Sequence, residues 1–195
     1  MKWIALAILL GIIPYTYLRL HYAKPGKANE PYADAKLRAE KARLDAGWRT
    51  VEVRAERPAD PQRRRDAISA TAQVAAAPGG LPPHLAETMF GPPLLPKEIT
   101  TLTAPGEARA LLPYEFLFTC TLPNNKQELV SAQFMIHGND IVIVPQFDPI
   151  EGALLARSLD SSLLVTVPGG TLQPGHYTVT VTATGGAKQW PLDVR

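Results

Sequence analysis

From Leu111 onward the chain alternates apolar and polar residues with a period of two, a pattern that fits strands and does not fit helices. Phe116, Phe118 and Cys120 fall on one face of a first strand. Val130, Ala132, Phe134 and Ile136 fall on one face of a second. His137-Gly138-Asn139-Asp140 then turns the chain into Ile141-Val142-Ile143-Val144, which reads as a hairpin. Leu163 to Val167 forms a further strand, ended by Pro168-Gly169-Gly170. Tyr177, Val179, Val181 and Ala183 alternate with polar residues, and Trp190, Leu192 and Val194 close the series after Gly185-Gly186. Short strands at regular spacing, separated by turn residues such as Pro123-Asn124-Asn125, predict an antiparallel sandwich or barrel over 111–195.

The stretch Leu172-Gln173-Pro174-Gly175-His176-Tyr177-Thr178-Val179 resembles the approach to the penultimate strand of immunoglobulin-like and fibronectin-type sandwiches. In those folds a tyrosine after the turn hydrogen-bonds back at the corner, and Tyr177 is the matching position. The resemblance covers the last 85 residues. The antibody pattern of two cysteines around a tryptophan is absent, because Cys120 is the single cysteine and Trp190 lies in the last strand. The resemblance therefore implies an architecture and carries no activity with it.

The opposite end of the chain has a different character. After Met1 and Lys2, residues Trp3 to Leu18 form 16 residues without a charge, near the lower limit for a spanning helix. Trp3 at one end, with Tyr15, Tyr17 and Tyr22 at the other, suits two membrane interfaces, and Pro14 is tolerated within a bilayer. No small-residue cleavage pattern follows, since Arg19-Leu20-His21-Tyr22-Ala23 places bulky groups there. The expectation is an uncleaved single-pass anchor in residues 1–22. Through Asp66 the chain carries 14 Lys+Arg against 8 Asp+Glu, and the remainder 6 against 10. A basic flank beside an apolar segment favours anionic lipid headgroups. Without interleaved aromatic residues it does not form a stacking platform for nucleic acid. Positive-inside counting points the bulk of the chain to the cytoplasm, whereas the sandwich resembles modules common outside it. The reading adopted is a cell-membrane protein with a periplasmic or extracellular C-terminal domain.

Between anchor and sandwich, residues 23–77 read as a charged helical and extended region. Pro31 opens a helix that Gly47 stops, with only Leu37 and Leu44 as strong apolar residues. Trp48 to Ala55 alternates as a half-buried strand, and Asp60-Pro61 caps a second helix running through Arg63-Arg64-Arg65 to Ala77. Residues 78–110 form a proline-rich connector, with Pro82-Pro83, Pro92-Pro93, Pro96 and Pro105. Leu85, Met89 and Phe90 give it an apolar face, for docking on a partner or on the chain's own sandwich.

The residues offer little chemistry. His21, His84, His137 and His176 lack metal-pair spacing, and His137 with Asp140 is explained by a turn. Ser161 and Ser162 read as a turn without a hydrolase elbow, and Gly169-Gly170 and Gly185-Gly186 as hairpin glycines. Asp148 and Glu151 read as solvated loop carboxylates. No catalytic, cofactor or metal residue is assigned. The function expected is that of a non-enzymatic, membrane-anchored accessory or adaptor subunit on a larger membrane protein assembly. Its partners would then be lipids and that assembly, and not nucleic acid. The alternative is a cell-envelope module that binds a ligand or polysaccharide through Trp190 and Tyr114.

Overall fold

The structure is a computed structural model and describes Ile12, Tyr15, residues 31–152 and residues 154–195. The expected anchor lies outside the described residues apart from Ile12 and Tyr15, which are helical. No described helix is long and apolar enough to cross a membrane. The chain divides into two compact units after Lys36, and both sheets belong to the unit Leu37–Arg195.

Helix α1 (Pro31–Asp45) places Asp34 in its first turn and Arg43 in its last, each matching the sign of the helix dipole. It stops as expected at Gly47, whose φ of +82° favours glycine. The Gly47 N–H donates to Leu44 O and the Trp48 N–H to Arg43 O, both at 2.9 Å. These are the paired bonds of a Schellman motif, and they aim Trp48 inward, where it is buried.

The strand expected over Trp48–Ala55 forms as two pieces on different sheets. β1 (Arg49–Val51) pairs with β7 (Gln127–His137), and β2 (Arg54–Glu56) pairs with β9 (Asp160–Val167). Val51, Val53 and Ala55 pack against one core, so the period-two reading of the buried face holds across the switch. The second expected helix is shorter than its sequence implied. α2 (Pro61–Ala67) begins on Asp60, whose carboxylate accepts from the Arg63 N–H at 3.0 Å, and ends at Ile68 in an extended conformation. Residues 75–77 form a strand instead, β3 (Ala75–Ala77), antiparallel to β11 (Ala187–Val194). Alanine's helix preference is overridden by this ladder and by bonds that tie Thr71 and Ala72 to Gly106 and Ala104.

The remaining elements are α3 (Pro83–Ala86), β4 (Glu98–Thr103), β5 (Glu107–Ala108), β6 (Tyr114–Thr121), β8 (Asp140–Pro149) and β10 (Gly175–Val181). The fold is mainly β, with 11 strands in two sheets among the described residues. One sheet runs β1-β7-β8-β10-β11-β3, with β5 also paired to β11; the other runs β2-β9-β6-β4. The two sheets thus take in strands upstream of Leu111. The expectation of wholly antiparallel pairing needs correction, because β10 runs parallel to β8 and β5 parallel to β11. Parallel neighbours need a crossover connection, and for β8 and β10 that crossover is β9 in the opposite sheet.

The core lies between the sheets. Phe116, Phe118 and Cys120 of β6 meet Phe134, Ile136, Ile141, Ile143, Val179, Val181 and Trp190 from the facing sheet. Phe116 lies 5.6 Å from Trp190 between ring centroids, tilted by 55°. A register shift between Leu129 and Ser131 puts Leu129 in the core where simple alternation expects Val130. The hairpin at His137–Asp140 forms with Gly138 at φ +57° in a two-residue loop. The Tyr177 hydroxyl donates to Gln173 O at 3.0 Å, the corner bond expected there. The sandwich is consistent with an immunoglobulin-like architecture. Pro191 of β11 falls in the gap between the stretches covered by β3 and β5, where a missing N–H leaves no partner unpaired.

Candidate docking surface

Alternate residues of β7 and β8 point away from the core, and Met135, Val142 and Val144 are nevertheless buried. They belong to a second apolar cluster with Trp48 and Leu85, against which Leu81, Met89 and Leu95 pack. The uninterrupted run Ile141–Val144 follows from this arrangement, because the sheet is covered on both faces there. Of the two fates open to the apolar face of the proline-rich segment, Leu85 and Met89 take the internal one. Leu85 is completely buried.

Proline and glycine make this arm possible. Pro83 begins α3, where a missing N–H does no harm, and the Leu85 and Ala86 N–H groups both donate to Pro82 O at 2.9 Å. The Thr88 hydroxyl donates to Leu85 O at 2.8 Å, so this buried polar side chain is satisfied. The arm is pinned at both ends to the β10–β11 loop. Gly80 N–H donates to Ala183 O at 2.7 Å; Thr184 N–H donates to Pro96 O at 2.8 Å, and Gly185 N–H to Lys97 O at 2.9 Å. Gly79 passes so close that a Cβ on it would lie 2.2 Å from Thr184 O. With its inner side anchored, the arm presents Phe90 (52% exposed) and Leu94 (46% exposed) outward. An open cavity of about 430 Å³ lies on the same arm, lined by Leu81, Ala86, Gly91, Pro92, Pro93 and Leu95.

Two histidines that lie far apart in sequence meet beside this arm. His84 stacks on Trp48 at 5.4 Å, His137 tilts against the same indole at 5.0 Å, and the two imidazoles are 5.8 Å apart. Sequence spacing gives no sign of this, because α3 and the β7–β8 hairpin meet only where the arm docks on the folded sheet. Among the described residues no group of three or more metal-ligating side chains occurs. His176 contacts Asp193 on the exposed side of β10, and His21 lies outside the described residues.

The other candidate residues take structural positions. Trp190 and Tyr114 are buried, with Trp190 Nε1–H donating to the Tyr114 hydroxyl at 3.1 Å and that hydroxyl donating to Pro105 O at 2.9 Å. Burial raises the Tyr114 pKa above the usual phenol range, against a smaller lowering by the Trp190 bond. Neither residue offers an exposed aromatic face for a sugar. Ser161 and Ser162 belong to strand β9, not to a turn, and Ser162 shares a 2.8 Å hydrogen bond with Thr119. Gly169 and Gly170 lie in the crossing from β9 to β10, not in a hairpin, and a Cβ at Gly169 would lie 2.3 Å from Leu111 O. Asp148 and Glu151 are exposed. Of the arginine run, Arg65 reaches the Thr101 hydroxyl at 3.3 Å, while Arg63 and Arg64 are exposed. Comparison of the chain with known protein families, with curated proteins and with solved structures finds no match.

Proposed function

We propose that this chain is a non-enzymatic, membrane-anchored accessory or adaptor subunit, whose arm and sandwich dock on a larger membrane protein assembly. The observation that carries the reading is the two-sided arm. Its inner residues Leu85 and Met89 hold it to the sheet, and its outer residues Phe90 and Leu94 are large, apolar and exposed. A surface fixed in place before binding loses little conformational entropy when a partner covers it, and clustered exposed apolar side chains mark protein contact sites. In this reading Trp3–Leu18 is the anchor, and the sandwich stands on the periplasmic or extracellular side.

The test is purification of the tagged full chain from its own membranes in mild detergent. A partner in stoichiometric amount is expected, and the paired substitution Phe90→Glu with Leu94→Glu is expected to release it while the sandwich stays folded. Recovery of the wild-type chain alone would overturn the proposal. Protease protection of the C-terminal tag in spheroplasts tests the side of the membrane: digestion is expected, and full protection would place the domain in the cytoplasm.

A further inference from the structure

Trp48 is buried, and two of the rings packed on its indole are imidazoles. His84 comes from α3 of the arm and is exposed, whereas His137 ends β7 and is half-buried. The His137 ring is seated against Gly47, where a Cβ would come within 3.4 Å of it. Neither His84 nor His137 makes a hydrogen bond through a ring nitrogen among the described residues; His176, against Asp193, is the histidine that does. A neutral imidazole carries one acceptor nitrogen, so the pair offers two lone pairs side by side. The separation of the rings suits a shared ion. Metal–nitrogen bonds of about 2.0–2.1 Å put an ion about 3.2 Å from the centre of each imidazole it binds. Two imidazoles on one ion then lie about 5.2 Å apart at a tetrahedral angle and about 6.4 Å apart at opposite positions. His84 and His137 are 5.8 Å apart, between these limits, with their planes tilted by 47°.

We propose that His84 and His137 form a two-histidine clip for a divalent late transition-metal ion, with solvent in the remaining coordination positions. Imidazole selects copper, nickel and zinc over magnesium and calcium, which take oxygen ligands. No third His, Cys, Asp or Glu joins the pair among the described residues. Two neutral ligands hold an ion less tightly than the closed cage of a structural zinc site. The clip therefore favours Cu2+, which binds nitrogen ligands most tightly in the divalent series. Once bound, the ion ties α3 of the arm to the β7–β8 hairpin and adds a third fixed point to the backbone bonds at the arm's two ends. The clip depends neither on the membrane anchor nor on a partner for the arm.

Titration of the full chain in detergent with Cu2+, without a polyhistidine tag, tests the clip. Bound Cu2+ quenches nearby indole emission, and Trp48 lies 5.4 Å from His84 and 5.0 Å from His137. Saturable quenching is expected below about 100 µM Cu2+, reversed by a chelator. Mg2+ at the same concentration is expected to leave the emission unchanged. His84→Ala and His137→Ala are each expected to weaken Cu2+ binding at least about tenfold, and the double substitution little further, because the two rings act as one unit. His176→Ala is expected to change nothing. The electron paramagnetic resonance spectrum of Cu2+ on the unsubstituted chain gives a reading that needs no variant, and coupling to two imidazole nitrogens is expected. No saturable quenching, a smaller loss in either single variant, an equal loss in His176→Ala, or coupling to fewer than two imidazoles would overturn the proposal.

Discussion

The Cys120 thiol is fully buried in the main core, on a strand position paired with Ile99, and its environment decides its chemistry. Burial pushes its pKa up to about 12, and the nearby Asp160 carboxylate adds to the effect. A neutral, inaccessible thiol is a poor nucleophile, so an aromatic disulfide reagent at pH 8 is expected to leave the native chain untouched and to titrate one thiol after denaturation. Because the folded value lies above the unfolded one of about 8.5, the group stabilises the fold fully below that pH. The contribution is lost as pH rises towards about 12. Urea melts of Cys120→Ala should therefore show lower stability overall but a shallower alkaline decline than the native chain. Tyr177 allows a second measurement at this scale. Tyr177→Phe removes the bond to Gln173 O, and a loss of about 0.5–1.5 kcal/mol in urea denaturation is expected. Both residues were legible in the sequence, Cys120 from alternation along β6 and Tyr177 from its place after a Pro-Gly turn. The pairing of His84 with His137 was not, since nothing local to either residue reports on the other.

Among the elements, the arm formed by residues 78–97 depends on one side chain more than any other. Leu85 is buried in a cluster separate from the main core, so Leu85→Ala should cost about 2–5 kcal/mol. It should also expose the arm to limited proteolysis before the sandwich is cut. Gly79→Ala is expected to disturb the same element from its pinned end, because the added carbon meets the Thr184 carbonyl. Elements whose core-facing residues alternate along the chain, such as β10 and most of β6, could be read directly. The Pro31–Asp45 helix was readable from its boundary residues. Elements shaped by a distant ladder were not. Ala75–Ala77 has the composition of a helix and becomes a strand because β11 presents an edge to it. The Ile141–Val144 run hides its alternation because both its faces are covered, and the residues that cover the second face come from 40 or more positions upstream.

For the whole molecule, the alternation from Leu111 onward gave the mainly β class, and the turn residues gave the number of later strands. Topology was not legible. The parallel β8–β10 pair and the recruitment of β1 to β5 depend on which edges remain open after the central strands have paired. That competition is resolved only in three dimensions. The same logic bears on assembly. An arm pinned at both ends holds its outer side in a fixed place, where another protein can meet it. The arm's outer side, with Phe90 and Leu94 exposed, is one place where burial of apolar surface is still to be gained.

The split between β1 and β2 has a mechanical consequence. One unbroken stretch of chain is stitched first to one sheet and then to the other, like a strap laid across the open side of a book. Tension arriving from upstream, through the helix ending at Asp45, would meet Trp48 and the β1 rungs first. The β2 rungs on the opposite sheet would be loaded only after those had yielded. Stepwise release under force, with the Arg49–Val51 contacts parting before the core does, is the behaviour such a strap imposes. A domain built this way can give a little length to the chain upstream of it without coming unfolded.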